Sequence, residues 1–175
     1  VRVHDSIYSL ELFHGPTLAF KDVGARFMAR LLGYFIERKG NKEVNVLVAT
    51  SGDTGSAVAN GFLGVPGIHV YVLYPKGKVS EIQEKQFTTL GRNITALEID
   101  GTFDDCQALV KSAFMDKDLN KMMNLTSANS INVARFLPQS FYYFYAYAQL
   151  LKQGMADNIV MFVPSGNFGN ITAGL

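Results

Sequence analysis

Little in this chain can crosslink or hold a metal. Its 175 residues include 1 Cys and 3 His. A single Cys forms no intramolecular disulfide, and the scattered His offer no zinc-ligand spacing, so a reducing, cytoplasmic setting is expected. Charge of one sign is also lacking: 16 Lys+Arg stand against 15 Asp+Glu, a formal net charge of +1. Without a basic surplus nothing neutralises a run of phosphates, which argues against a nucleic-acid partner. No apolar stretch is long enough to span a bilayer and the first residues do not resemble a signal peptide, so no membrane partner is expected. Linkers, repeats and low-complexity tracts are missing too. The composition that remains, 48% hydrophobic and 18% charged, suits a packed core. The chain opens without Met and stops at Ala173-Gly174-Leu175 inside an apparent element, so it is expected to be a slice of a longer protein.

Four short apolar runs read as buried strands: Val44 to Thr50, His69 to Tyr74, Ile94 to Ile99 and Ile159 to Val163. Helical patterns lie between them. Val23, Phe27, Leu31 and Phe35 recur every four residues and form one apolar stripe. Thr102 precedes an amphipathic run through Leu109, Val110 and Phe114 and has the chemistry of an N-cap. Pro138 suits the first turn of a helix carrying Phe141, Phe144, Tyr145, Ala148 and Leu151, which Gly154 ends. The aromatics between Phe141 and Tyr147 offer a stacking platform for bases, but at helical spacing and neutral charge they read as core. Cys106, flanked by Asp104 and Asp105, reads as a small packed side chain rather than a thiolate. Strands alternating with helices imply an α/β fold: a three-layer open parallel sheet with helices on both faces.

In such sheets ligands bind where strands end. Two loops have that position. Thr50-Ser51-Gly52-Asp53-Thr54-Gly55-Ser56 joins the first strand to a helix beginning near Thr54, and its small residues, hydroxyls and helix-start N–H groups suit an anion. Ser165-Gly166-Asn167-Phe168-Gly169-Asn170 follows the last expected strand and would present backbone N–H groups to a phosphate. Either loop could also simply turn the chain. No Gly-Lys-Ser/Thr ending marks a P-loop, and no Gly-x-Ser-x-Gly elbow marks a serine hydrolase. Asp53-Thr54-Gly55 lacks the second triplet an aspartic protease needs.

A third feature is Phe13-His14-Gly15-Pro16-Thr17-Leu18-Ala19-Phe20-Lys21-Asp22. A lone Lys is ordinarily a solvated charge. Lys21 sits at a helix start among Leu18, Phe20 and Val23, where the positive helix end and burial both disfavour an ammonium. A lysine eased toward its neutral form is what a Schiff base with a carbonyl cofactor requires.

These segments, together with Asn129-Ser130-Ile131-Asn132, closely resemble the threonine synthase family in order and spacing, over essentially the whole chain. The resemblance implies a pyridoxal-phosphate enzyme of fold type II, the tryptophan synthase β-subunit-like fold. It implies conversion of O-phospho-L-homoserine and water to L-threonine and phosphate. Lys21 matches the lysine that holds the cofactor and moves protons on the substrate. Gly166, Asn167, Phe168, Gly169 and Asn170 match the loop around the cofactor phosphate, and Ser51, Gly52, Asp53, Thr54 and Gly55 the loop that receives the substrate carboxylate. Asp53 stands where cysteine-making relatives have Asn, so it either meets the cofactor's phenolic oxygen or caps its helix through Ser56. In the second case Asn129 or Asn132 serves that oxygen. Arg135, Lys76 and Lys78 are the candidate cations for the substrate phosphate. His14 is either a base or, more simply, the holder of the Gly15-Pro16 turn.

By the same resemblance, residues 11–155 form the smaller lobe and 156–175 the start of the larger one, so this segment alone is expected to turn over little or nothing. Two rivals share the motifs: a phospho-lyase giving a 2-oxo acid, and a non-catalytic phosphometabolite-binding module.

Overall fold

The computed structural model describes residues 1–40, 43–129 and 132–175, and the statements below concern these. Ser130 and Ile131 of the Asn129 to Asn132 motif lie outside them. A short antiparallel ribbon of β1 (Arg2–His4) and β2 (Ile7–Tyr8) comes first. The main body follows as α1 (Asp22–Lys39), β3 (Val44–Ala49), α2 (Asp53–Phe62), β4 (Ile68–Pro75), α3 (Glu81–Thr88), β5 (Ile94–Ile99), α4 (Phe103–Met115), α5 (Lys117–Met122) and β6 (Asn124–Ser127). Then come α6 (Val133–Phe136), a 3-10 turn (Leu137–Gln139), α7 (Ser140–Leu151) and α8 (Gly169–Thr172).

The sheet order is β5-β4-β3-β6, and every pairing is parallel. From β3 the chain builds outward through β4 to β5, then returns to place β6 on the other side. The order therefore reverses at β3, the kind of switch point where a crevice opens beyond the strand ends.

Alternation along the strands sorts the core into two layers. Val46, Val48, Val70 and Val72 pack against Ala25, Met28 and Ala29 of α1, Ala57, Val58 and Phe62 of α2, and Phe87 of α3. On the opposite face Leu47, Ala49 and Leu73 pack against Cys106 and Val110 of α4. Each large apolar side chain so buried contributes about 1.5–3 kcal/mol. The three-layer reading holds, and so does that of Cys106, whose thiol burial pushes up in pKa, with Asp105 adding to it. Thr102 caps α4 in a reciprocal box with Asp105.

Two expectations fail, and the α1 stripe faces away from the sheet. Ile159 to Val163 is no strand: no neighbour pairs with it among the described residues, and Val160 and Phe162 are 74% and 91% exposed. An apolar β-branched run becomes a strand only where another strand offers its backbone groups. The stripe on α1 is real, but Val23, Phe27 and Phe35 face outward, while Ala25, Met28, Ala29 and Ile36 meet the sheet. The smaller residues let the helix approach the sheet closely. The aromatics of α7 are not core either: Phe141, Phe144, Tyr145 and Tyr147 are exposed. A helix apolar nearly all round carries no sign of which side its neighbours cover.

Candidate active site

The cleft is assembled at the end of β3. Thr50 is buried, and its hydroxyl accepts from the N–H groups of Gly52 (3.0 Å) and Gly55 (2.7 Å). That collar curls the loop into α2. Gly52 takes φ +148°, and a Cβ there would lie 2.2 Å from Gln83 Oε1, so only glycine fits. Gly52 is the N-cap, and the Ser56 hydroxyl donates to the carbonyls of Gly52 and Gln83. The expectation that Asp53 caps the helix through Ser56 is thereby corrected. Its carboxylate is engaged elsewhere.

Lys21, the last residue before α1, donates from Nζ to both Asp53 oxygens at 2.9 Å. Its side chain is 14% exposed, that of Asp53 41%. Leu18 and Val23, expected to bury the lysine, are themselves exposed; Phe20 lies beside Nζ instead, at 5.5 Å from the ring centroid. The segment before Lys21 is pinned twice. The Thr17 N–H (3.0 Å) and hydroxyl (2.6 Å) donate to the buried Asp22 carboxylate, and the Tyr142 hydroxyl donates to the Phe20 carbonyl. Burial, and then Asp22, push the Tyr142 phenol up to about 12, so it remains a donor at neutral pH.

Arg135 of α6 lines the same cleft and is 2% exposed. Burial lowers its pKa to about 10, with Asp53 pulling the other way. Its Nε and Nη1 have no hydrogen-bond partner among the described residues. The backbone beneath it is tightly fitted: a Cβ on Gly24 of α1 would lie 2.2 Å from the Arg135 carbonyl oxygen. Gly24→Ala gains about 1 kcal/mol of helix propensity but must push α6 off α1, at a cost of about 1–3 kcal/mol. The expected outcome is a lower unfolding midpoint together with weaker anion binding at Arg135, read by thermal melts and titration calorimetry on the full-length protein. An unchanged affinity would show that α6 does not set the guanidinium's place.

Asn129 also borders the cleft, but its side chain extends the sheet. It donates to the Ala49 carbonyl (2.9 Å) and accepts from the Ala49 N–H (3.2 Å). Asn132 caps α6 through Ala134 and donates to the Ser127 carbonyl. Both amides thus have backbone duties. Across the cleft, Ser165 donates to Asn170 Oδ1 (2.8 Å), Asn170 Nδ2 to the Pro164 carbonyl (2.9 Å), and the Tyr143 hydroxyl to the Asn170 carbonyl (2.6 Å). These bonds hold the second loop in shape and tie it to α7.

The resulting cleft has a volume of about 110 Å³. Lys21, Ser51, Asp53 and Thr54 line one side, with Asn129 and Arg135; Asn167, Gly169 and Asn170 close the other. Gly52 and Gly55 shape the first loop without lining the cleft, as do Gly166 and the exposed Phe168 for the second. Lys76 and Lys78 are exposed and do not line it. His14 is on the surface, stacked beside Phe13 and 3.2 Å from Glu11. Sequence reasoning missed Gln139, which is 2% exposed and lines the cleft. Its place four residues after Arg135, on the same face of a helical run, was the available signal.

Fold and cleft define a class: an open parallel α/β protein whose switch-point crevice sets one lysine amine opposite a loop of glycine, asparagine and serine. The donor set fits pyridoxal phosphate, an amine for its aldehyde and backbone N–H groups and hydroxyls for its phosphate, and space is open beside Gly166. The chain belongs to the pyridoxal-phosphate-dependent enzyme family, whose model matches residues 3–175. It is 56% identical over 175 residues to the threonine synthase of Buchnera aphidicola subsp. Acyrthosiphon pisum, covering 100% of this chain and 40% of that one. To the threonine synthase of Haemophilus influenzae it is 58% identical over 174 residues, 99% of this chain and 40% of the relative. The chain thus spans about 40% of the length of these curated relatives. Among solved structures, threonine synthase from Escherichia coli superposes with a TM-score of 0.85 at 58% identity, covering 94% of this chain and 38% of the other. PLP-bound threonine synthase from Brucella melitensis gives 0.82 at 47%, with 94% and 35% covered. Diaminopropionate ammonia lyase from Escherichia coli, at 18% identity and a TM-score of 0.59, shares the fold.

Proposed function

We propose that this chain is the catalytic-lysine segment of a cytoplasmic threonine synthase, which converts O-phospho-L-homoserine and water to L-threonine and phosphate. The observation that carries the reading is one cleft uniting Lys21, the Ser51 to Thr54 turn, Arg135 and the Asn167 to Asn170 loop. On this reading residues 11–155 form the smaller lobe and 156–175 begin the larger one.

Pyridoxal phosphate, when bound, supplies the electron sink for the carbanions that replacement at the β carbon requires. The chain's own residues divide the remaining work. Lys21 holds the cofactor and carries protons between substrate carbons, its Nζ kept at the cleft by Asp53. Ser51 and Thr54, at the start of α2, receive the substrate carboxylate, where helix-start N–H groups favour negative charge. Arg135 receives the substrate phosphate, a charge-assisted contact in a buried setting. Gly166 to Asn170 hold the cofactor phosphate, with Ser165, Asn170 and Tyr143 bracing the loop.

Product analysis tests the reading. The full-length protein carrying this chain, supplied with pyridoxal phosphate and O-phospho-L-homoserine, is expected to release threonine and phosphate in equal amounts. Release of 2-oxobutyrate in place of threonine would make it a phospho-lyase on the same scaffold. Binding without either product would leave a phosphometabolite-binding protein.

A further inference from the structure

Among the described residues, three side-chain atoms beside the cleft are buried without a hydrogen-bond partner: the donors Nε and Nη1 of Arg135 and the acceptor Oε1 of Gln139. Their residues are four apart, lie in α6 and the turn that follows it, and both line the cleft. Each unmet group is costly, so three together describe a ligand by its complement. The orientation of the Gln139 amide is fixed from behind. Its Nε2 donates to the Arg135 carbonyl at 3.4 Å, and turning the amide over would set oxygen against oxygen.

A carboxylate or sulfate satisfies the two arginine donors but offers only acceptors, leaving Gln139 Oε1 facing negative oxygen. A phosphate carrying one proton offers acceptors and one O–H donor in the same group. We propose that Arg135 and Gln139 form a receptor for a singly protonated phosphate, with Arg135 Nε and Nη1 donating to its oxygens and Gln139 Oε1 accepting its hydroxyl. Gln139 is then a specificity-determining residue for the phosphorylated end of the substrate and for the phosphate released from it. This deepens the proposed function and rests on it for the identity of the substrate, whereas the receptor chemistry is tested with inorganic phosphate alone. A failure of turnover and a failure of anion selection are therefore separate results.

The charged groups of the cleft are Lys21 before α1, Asp53 on α2 and Arg135 on α6. All three act alike on sulfate and on a singly protonated phosphate, which carry the same charge, so comparing the two anions where inorganic phosphate is in that form isolates the ligand's own proton. Titration calorimetry on the full-length, pyridoxal-phosphate-loaded protein at pH 8, where inorganic phosphate carries one proton and the same charge as sulfate, is expected to show phosphate binding about tenfold or more tighter than sulfate, one hydrogen bond to a charged group. A phosphate monoester is expected to show that advantage only near pH 6 and to lose it at pH 8, its last proton leaving at a pKa of about 6. Gln139→Met, close in shape and without the acceptor, is expected to bring the two anions to parity. Gln139→Glu, tested beside it with a circular dichroism check of folding, is expected to weaken both by setting a carboxylate against them. Equal binding of phosphate and sulfate by the unaltered protein would overturn the receptor, as would a preference that survives in a folded Gln139→Met. Loss of phosphate binding when pyridoxal phosphate is loaded would overturn its assignment to the substrate end.

Discussion

Lys21→Ala in the full-length protein is expected to bind pyridoxal phosphate without the visible absorbance of a covalent adduct, and to lose at least about 10³–10⁴-fold in turnover. The geometry explains why the loss is chemical rather than structural. Lys21 is the residue before α1, held by the Thr17 to Asp22 turn and by Tyr142, and neither support uses its side chain. The bond removed is the Lys21–Asp53 ion pair. Asp53 is 41% exposed, so water takes over the orphaned carboxylate and the stability cost stays within about 1 kcal/mol. The variant is therefore expected to melt near the parent while lacking the adduct. Lys21→Arg keeps the charge and the pairing to Asp53 but presents no primary amine, and is expected to lack the adduct's absorbance as well. Lysine-dependent absorbance persisting in either variant would exclude Lys21 as the anchoring amine. Free 2-oxo acid or threonine at parental rates would exclude it as the proton carrier.

The contrast between what the residues announced and what they withheld follows from where each signal resides. Central parallel strands are buried on both faces, so β3 and β4 appear as continuous apolar runs, and β5, an edge strand paired with β4 alone, still shows through Ile94, Ala96, Leu97 and Ile99. Strand β6 is Asn-Leu-Thr-Ser, an edge strand paired with β3 alone, and its polar composition carries no such mark. Ile159 to Val163 shows the converse: the composition of a strand without a partner among the described residues. In the cleft, the first glycine loop was legible because local backbone geometry demands glycine at Gly52, and Lys21 because it stands at a helix start. The Lys21–Asp53 pair joins residues 32 apart in sequence, so only the packing of α1 against α2 creates it. Gln139 offered only its spacing of four residues from Arg135, a signal that gains meaning once Arg135 is placed in the cleft. A glutamine declares itself as part of a site only when burial strips it of water.

Burial also sets the second large effect. Arg135→Met is expected to raise the unfolding midpoint of the ligand-free protein while abolishing measurable binding of phosphate and of phosphorylated substrate. A guanidinium whose pKa falls from 12.5 to about 10 is held in a place that disfavours its charge, and a shift of that size corresponds to about 3 kcal/mol. The sign follows from linkage. Below the folded pKa the arginine is charged whether folded or unfolded, so the native state bears the full cost; relief comes only as pH rises from 10 toward 12.5. From pH 6 to 9 the gain from its removal should therefore be constant. Methionine fills much of the space of the arginine stem without polar demands, and after lost packing is subtracted a net gain of about 1–2 kcal/mol is expected, enough to move the midpoint by a few degrees. A site that is stabler without its arginine keeps that arginine for a ligand, and added phosphate should narrow the difference by raising the parent's midpoint and not the variant's. Thermal melts of both proteins with and without phosphate read all four quantities. A destabilised Arg135→Met, or one whose midpoint still climbs with phosphate, would show that the guanidinium's unpaired donors serve the fold and not an anion.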